Sequence, residues 1–221
     1  MANTDGGKGR QTRPISLPQL TDFVADSLES SRDYEAIAFA GRDFTGHDAS
    51  DSRFLDCLLE RCCLEGASLR RARIIGCVLA DVYGAGVDFA DSTWRDCEVT
   101  GGRLGAMTMP GATWVGIRVR GARFGYANLA GARLDGVVFA NCEIGAFDAS
   151  SAQLRSVAFV DCTVEELNVS EAGLSKVDLS GARLGKLFGV ESLRGAIVGH
   201  QQLLDLAPLL AAQLGLEIRP D

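Results

Sequence analysis

The sequence has little of what membrane proteins and secreted proteins carry. No segment approaches the roughly 18 consecutive apolar residues that a membrane-spanning helix needs, and residues 1–13 are polar, without an apolar signal core. Lysine is scarce, with three residues against 19 arginines, and histidine occurs twice. The lack of a long apolar run argues against a membrane partner, and the net charge of −7 argues against a basic nucleic-acid-binding surface. We therefore expect a cytoplasmic protein with no direct nucleic-acid contact.

A period of five residues runs through most of the chain. A large apolar residue returns at nearly every position ending in 4 or 9, and the breaks are Ala49, Gly84 and Ala149. A period of five fits neither an α-helix, at 3.6 residues, nor a β-strand, at 2.0. An internal repeat decides the fold before any other feature, and this one predicts a solenoid. The series reads Phe39, Phe44, Phe54, Leu59, Leu64, Leu69, Ile74, Leu79, Phe89, Trp94, Val99, Leu104, Met109, Trp114, Val119, Phe124, Leu129, Leu134, Phe139, Ile144, Leu154, Phe159, Val164, Val169, Leu174, Leu179 and Leu184.

A second, small inward position precedes each large residue by two. Along it, Cys57, Cys77 and Cys97 recur at intervals of twenty, as do other residues of matched size. Four pentads therefore form one coil of twenty residues, with like residues stacked above like. About eight coils fit between residues 32 and 191, and at about 4.8 Å per stacked strand the rod is about 38 Å tall.

The ends of the chain depart from the repeat. Residues 1–31 are expected to form a flexible N-terminus with a short capping helix, because Leu17, Leu20, Val24 and Leu28 follow helical spacing. Residues 192–221 are expected to form a C-terminal cap, with a helix over 200–214, a stop at Gly215 and a short strand at 216–218. The helix leucines either pair two copies of the chain or cover the last coil of their own chain; they are Leu203, Leu206, Leu209, Leu210 and Leu214.

Pentads such as Ala127-Asn128-Leu129 and Val177-Asp178-Leu179 resemble the A(D/N)LXX pattern of the pentapeptide-repeat proteins. The resemblance covers about residues 34–190 and implies an all-β solenoid, a right-handed quadrilateral parallel β-helix with a C-terminal capping α-helix. The C-terminal stretch is similar to caps that dimerise the gyrase-protecting, quinolone-resistance members. Those members look like short DNA and bind a type II topoisomerase, and some carry projecting loops for which this unbroken repeat leaves no room.

The repeat also accounts for the residues that suggest chemistry. Six of the seven cysteines occupy inward small positions, where a thiol acts as a small hydrophobe, and Cys63 alone is a candidate exposed thiol. No CxxC pair with zinc spacing occurs, and the glycines follow the pentad corners rather than a phosphate-binding loop. His47 and His200 lie too far apart along a rod to cooperate. We therefore expect no catalytic residues, no metal and no cofactor.

Two functions remain after these exclusions. One is a non-enzymatic interaction or scaffold protein with an unknown protein partner. The other, implied by the resemblance, is a DNA-mimicking binder of DNA gyrase that forms a homodimer through the C-terminal cap. Residues 52–190 hold 16 acidic and 15 basic side chains, and this near-neutral body favours the first. Outward apolar residues at Leu55, Ile75 and Val115, and at Val138 and Val160, are either scattered surface or a partner strip.

Overall fold

Each pentad folds into a short extended step followed by a corner. In the step Ala127-Asn128-Leu129 the two outer residues are buried and Asn128 between them faces outward, because successive side chains of an extended chain alternate in direction. The corner at Gly131 has a φ of 65°, in the left-handed region that glycine enters freely. Asp81 and Asn141 hold corners of the same kind, since short polar side chains also tolerate that region.

The computed structural model describes residues 15–216, which form a parallel β-solenoid of about nine turns of about 20 residues, with a C-terminal helix. Its strands form three sheets. Sheet 1 contains Asp33–Glu35, Arg53–Leu55, Arg73–Ile75, Thr93–Arg95, Thr113–Val115, Arg133–Asp135, Gln153–Arg155 and Gly173–Ser175. Sheet 2 contains Thr21–Asp22, Ile37–Ala40, Leu58–Glu60, Val78–Ala80, Glu98–Thr100, Arg118–Arg120, Val138–Ala140, Ala158–Val160, Val177–Asp178 and Ala196–Ile197. Sheet 3 contains Tyr83–Gly84, Val87–Asp88, Arg103–Thr108, Arg123–Asn128, Glu143–Asp148, Cys162–Asn168 and Ala182–Phe188.

Neighbouring strands pair in parallel at an offset of twenty residues. Trp94 lies opposite Trp114 in sheet 1, and Val99 lies opposite Val119 in sheet 2. The predicted twenty-residue coil is thereby confirmed. The array is longer than the predicted eight coils because additional strands at both ends, Thr21–Asp22 and Ala196–Ile197, join sheet 2.

The interior is filled by stacked side chains from successive coils. The Trp94 and Trp114 rings lie 5.6 Å apart between centroids, and the Phe139 and Phe159 rings are stacked at 4.9 Å. A void beside Phe54 measures about 10 Å³, which is at the lower limit for one water molecule. The core is therefore packed at the density of an ordinary protein interior.

The N-terminal segment departs from the prediction. Between residues 15 and 31 the structure has no helix, and the helix predicted from Leu17 to Leu28 is wrong. Thr21–Asp22 instead adds a strand to the edge of sheet 2, and Phe23 and Leu28 are buried in the core. The strand gains ladder hydrogen bonds from an open sheet edge, whereas Pro18 disfavours a helix through this segment.

The C-terminal helix spans His200–Gln213, and the predicted helix is confirmed. The Gln202 side chain accepts a hydrogen bond from the Gly199 backbone and donates to the carbonyls of Leu179 and Ala182, which holds the helix on the last coil. Gly215, with a φ of 70°, ends it as predicted. Leu216 is not in a strand, and residues 217 and 218 lie outside the described part. Within residues 15–216, no helix is long and apolar enough to cross a membrane.

Candidate interaction surfaces

The cysteines follow the repeat. The six at inward positions are buried. Five of their thiols donate to a backbone carbonyl of the preceding coil, as Cys97 Sγ does to Ile74 at 3.3 Å, and Cys162 Sγ donates to the Val160 carbonyl of its own coil. Burial raises the pKa of the Cys97 thiol to about 12, so this thiol is a poor nucleophile at neutral pH. Cys63 faces outward and is half-buried, with its Sγ 3.4 Å from the Thr45 hydroxyl.

The two histidines occupy separate structural positions. His47 is half-buried, and its Nδ1 accepts a hydrogen bond from the Leu28 backbone at 3.2 Å. His200 is exposed at the first position of the C-terminal helix. Among the described residues, no group of three or more His, Cys, Asp and Glu side chains is arranged to hold a metal ion.

Opposite charges stack one coil above the other on the outer faces. Arg71 binds Asp51 through two hydrogen bonds of 2.7 and 2.6 Å, and the same spacing of twenty pairs Arg123 with Glu143, Arg155 with Asp135 and Lys186 with Glu166. Solvent screens these exposed pairs, so they contribute little to the stability of the fold. Each pair also cancels charge locally, so these faces have a mixed electrostatic potential.

Along the rod, acidic side chains are most frequent on one side, in the last residues of each coil's sheet 3 segment and in the corner that follows them. Two arginines there pair with its carboxylates, Arg70 with Asp88 and Arg71 with Asp51. The coils between residues 108 and 131 contribute no charge on this side. The acidity therefore falls into two patches rather than one continuous stripe. The carboxylates are Asp48, Asp51, Asp88, Asp91, Asp148, Glu171 and Glu191.

Many of these carboxylates also have a structural role. Asp48, Asp88 and Asp148 each accept a hydrogen bond from the backbone N–H two residues later. Asn128 and Asn168 make the same contact at equivalent positions. Such turns stabilise the corner of the coil, so the aspartates of this column shape the backbone as well as the surface potential.

The C-terminal helix splits the predicted leucines between two environments. Leu206 is buried and Leu210 half-buried against the last coil. Leu203, Leu209 and Leu214 are exposed, at 47%, 45% and 75%, and Leu204, which the sequence analysis did not single out, is exposed as well. A groove of about 330 Å³ separates the helix from the last coil and is lined by Leu187, Leu206 and Leu209 among others. The helix thus covers its own coil and also presents an apolar surface outward.

The outward apolar residues also divide into two groups. Leu55, Ile75 and Val115 are half-buried on sheet 1. Val138 and Val160 on sheet 2 are exposed, at 37% and 44%. Sequence reasoning missed the ion pair between Glu98 and Arg118 on sheet 2, whose two side chains are nearly covered. The twenty-residue spacing was the signal for the pair, but nothing local indicated its burial.

The family model for pentapeptide repeats matches residues 111–144, with eight copies. No curated protein matches the chain. Among solved structures, the chain is similar to HetL, a pentapeptide repeat protein involved in heterocyst differentiation regulation from the cyanobacterium Nostoc. The two are 18% identical, with 76% of this chain and 90% of HetL covered and a TM-score of 0.41.

A second similar structure is full-length QnrB1, a plasmid-mediated fluoroquinolone resistance protein. It is 17% identical to this chain, the alignment covers 89% of this chain and 100% of QnrB1, and the TM-score is 0.35. Both structural likenesses are distant. The twenty-residue register of the strands describes the coil in far more detail than either alignment does.

Proposed function

Because the chain is a pentapeptide-repeat protein, we propose that it acts as a non-enzymatic interaction rod that binds protein partners and pairs with a second copy through its C-terminal helix. The observation that carries this proposal is that leucines are exposed on a helix that already packs against the last coil of its own chain. A helix that serves as a cap alone needs one apolar side, whereas this one is apolar on its outer side as well.

The geometry of the helix supports a second copy as the partner of this surface. Leu203, Leu210 and Leu214 follow at spacings of seven and four residues, so they lie on one side of the helix, next to the buried Leu206. The half-buried Leu210 joins the packed side to the exposed side. Pairing of two such helices buries the leucines of both copies, in the two-fold manner that most homodimers use.

Light scattering tests the dimer with a matched pair of variants. The double variant Leu203→Glu/Leu214→Glu places two charges on the exposed side and is expected to give the monomer mass at concentrations where the wild type gives twice that mass. The control Gln201→Glu adds charge at an exposed polar position of the same helix and should remain a dimer. If the wild type has the monomer mass, and a chain ending near residue 198 has it as well, pairing through the helix is rejected.

A second candidate function is binding to DNA gyrase as a mimic of short DNA. The specific observation in its favour is the acidic side of the rod, with its patches at Asp48 to Asp91 and at Asp148 to Glu191. The ion pairs on the other faces and the uncharged gap between the patches favour the scaffold role instead. A gyrase supercoiling and cleavage assay, with and without a quinolone, separates the two. No effect at a large molar excess of the protein rejects the gyrase function.

A further inference from the structure

One ion pair on the outside of the solenoid is buried, although its position in the repeat faces outward. The side chains of Glu98 and Arg118 are 11% and 16% exposed, whereas those of Asp135 and Arg155, a pair of the same spacing on sheet 1, are 39% and 70% exposed. The cover includes residue 15, because the Ile15 backbone donates a hydrogen bond to Glu98 Oε2 at 3.3 Å. The contact joins residues 83 positions apart in the sequence.

The path of the chain after Ile15 follows from this contact and from the sheet. Thr21 pairs with Ile37 at the edge of sheet 2, and the strand Glu98–Thr100 lies four strand spacings farther along the same sheet. Four spacings are about 19 Å, and six extended residues span about 20–22 Å. Residues 15–20, here called the strap, are therefore close to fully extended. The strap crosses the outside of the strands Ile37–Ala40, Leu58–Glu60 and Val78–Ala80.

The surface under the strap is apolar. Leu58 and Val78 are the outward residues of two crossed strands and lie in register with each other. Both are half-buried, and Val138, in the same column beyond the strap, is 37% exposed. The strap supplies matching side chains, since Ile15, Leu17 and Leu20 are half-buried although they belong to no strand or helix. Apolar side chains from both segments thus leave water together.

The strap is attached in a way that permits release. It runs across the strands, so it cannot form ladder hydrogen bonds with them, and Pro18 in its middle has no backbone donor. Its described attachments are the Ile15 hydrogen bond at one end and the strand Thr21–Asp22 at the other. Beyond Arg118, the same face continues as the exposed side chains of Val138 and Val160, with the half-buried Ala140 beside them.

We propose that the outer face of sheet 2 is a docking surface for extended segments rich in branched apolar side chains, and that the strap is its built-in occupant. A partner segment of the strap's chemistry first contacts the exposed continuation at Val138 and Val160. It then displaces the strap from Leu58 and Val78. The strap itself shows what this face accepts, because it is an extended chain with Ile and Leu side chains and a backbone N–H for Glu98.

Peptide binding to the full-length chain tests this proposal. The probe is a fluorescein-labelled synthetic peptide of residues 15–22, followed by fluorescence anisotropy. The variant Leu17→Asp/Leu20→Asp weakens the strap and is expected to bind the probe at least tenfold more tightly than the wild type does. The control Val24→Asp makes the same change at a neighbouring side chain that is 88% exposed, and should bind the probe as the wild type does.

Two further variants keep the test decisive. Ile15→Asp weakens the other end of the strap by replacing a half-buried apolar side chain with a carboxylate, and should also raise the affinity for the probe if the double variant does not fold. Val78→Asp, added to either strap variant, should abolish the gain. The proposal is overturned if the folded strap variants bind the probe no better than the wild type, or if Val78→Asp leaves the gained binding unchanged.

Discussion

The two tryptophans of the core make neighbouring and nearly equal environments that differ by one hydroxyl group. Trp94 Nε1 donates to the Ser92 hydroxyl at 3.0 Å, whereas Trp114 Nε1 is buried and has no hydrogen-bond partner among residues 15–216. The residue that stands beside Trp114, in the column of Ser92, is Ala112. We expect Ala112→Ser to stabilise the fold and Ser92→Ala to destabilise it.

The magnitude follows from the cost of an unpaired donor. Leaving a buried N–H without a partner costs about 1–3 kcal/mol, and a typical hydrogen bond contributes about 1 kcal/mol net. Ser92 and Ala112 are both fully buried, so the hydroxyl of Ser92 shows that this column accommodates one more heavy atom. We therefore expect Ser92→Ala to lower the free energy of unfolding by about 1–2 kcal/mol and Ala112→Ser to raise it by about 0.5–1 kcal/mol.

Urea denaturation measures both changes, with the slope m checked for constancy across the variants. Trp114→Phe removes the donor, so Ala112→Ser should give no gain in that background, and the double-mutant cycle isolates the hydrogen bond. A stabilisation by Ala112→Ser that persists in Trp114→Phe would refute the reasoning. So would a Ser92→Ala variant as stable as the wild type.

Three further predictions follow from the glycines, the thiols and the carboxylates. Gly125→Ala should destabilise the fold by about 2–4 kcal/mol, because a Cβ there would lie 2.3 Å from the Gly105 carbonyl oxygen. Gly121→Asn should change the stability by under about 0.5 kcal/mol, since Asn141 occupies the equivalent corner one coil later. Equal effects of the two variants in urea denaturation would contradict this contrast. Ellman's reagent should modify Cys63 first in the native protein and the remaining six thiols after unfolding, because those six are buried; unchanged fast labelling in Cys63→Ser would disprove the assignment. Hydrogen bonds from Ser50 and from Arg71 lower the pKa of Asp48 and Asp51, respectively, below the ordinary value of 3.8. The two ionised carboxylates therefore contribute fully to stability above that pH, and the contribution is lost as the pH falls through the lowered pKa values. At a pH below about 4 the urea concentration at the midpoint of unfolding should decrease, and it should decrease less in Asp51→Asn.

The outcome at the N-terminus shows where sequence spacing misleads. Leu20, Val24 and Leu28 are four residues apart and so indicate a helix, yet Val24 is exposed in the structure. The buried residues are Phe23 and Leu28, five apart, and Phe23 lies 4.6 Å from the Phe39 ring. They continue the five-residue period with its phase shifted by one. The sequence analysis missed these two residues because it followed the period only at positions ending in 4 and 9.

The surface shows a different limit. Once the twenty-residue coil is known, pairs such as Arg155 and Asp135 can be read from the sequence, because the register places them in one column. Which of the helix leucines pack on the last coil could not be read in this way. Their burial depends on the angle at which Gln202 fastens the helix to the carbonyls of Leu179 and Ala182, and no periodic pattern encodes that angle.

The sequence by itself determined the solenoid, its twenty-residue register and the inward place of six cysteines. It could do so because the alternation of side chains and the corner geometry act over five residues, and the repeat applies the same local rule in every coil. Only the tertiary structure decided that Ile15 lies on Glu98 and that the strap covers Leu58 and Val78. A contact across 83 residues between a repeat and a non-repeating segment depends on the assembled surface, which exists only after the coils have stacked.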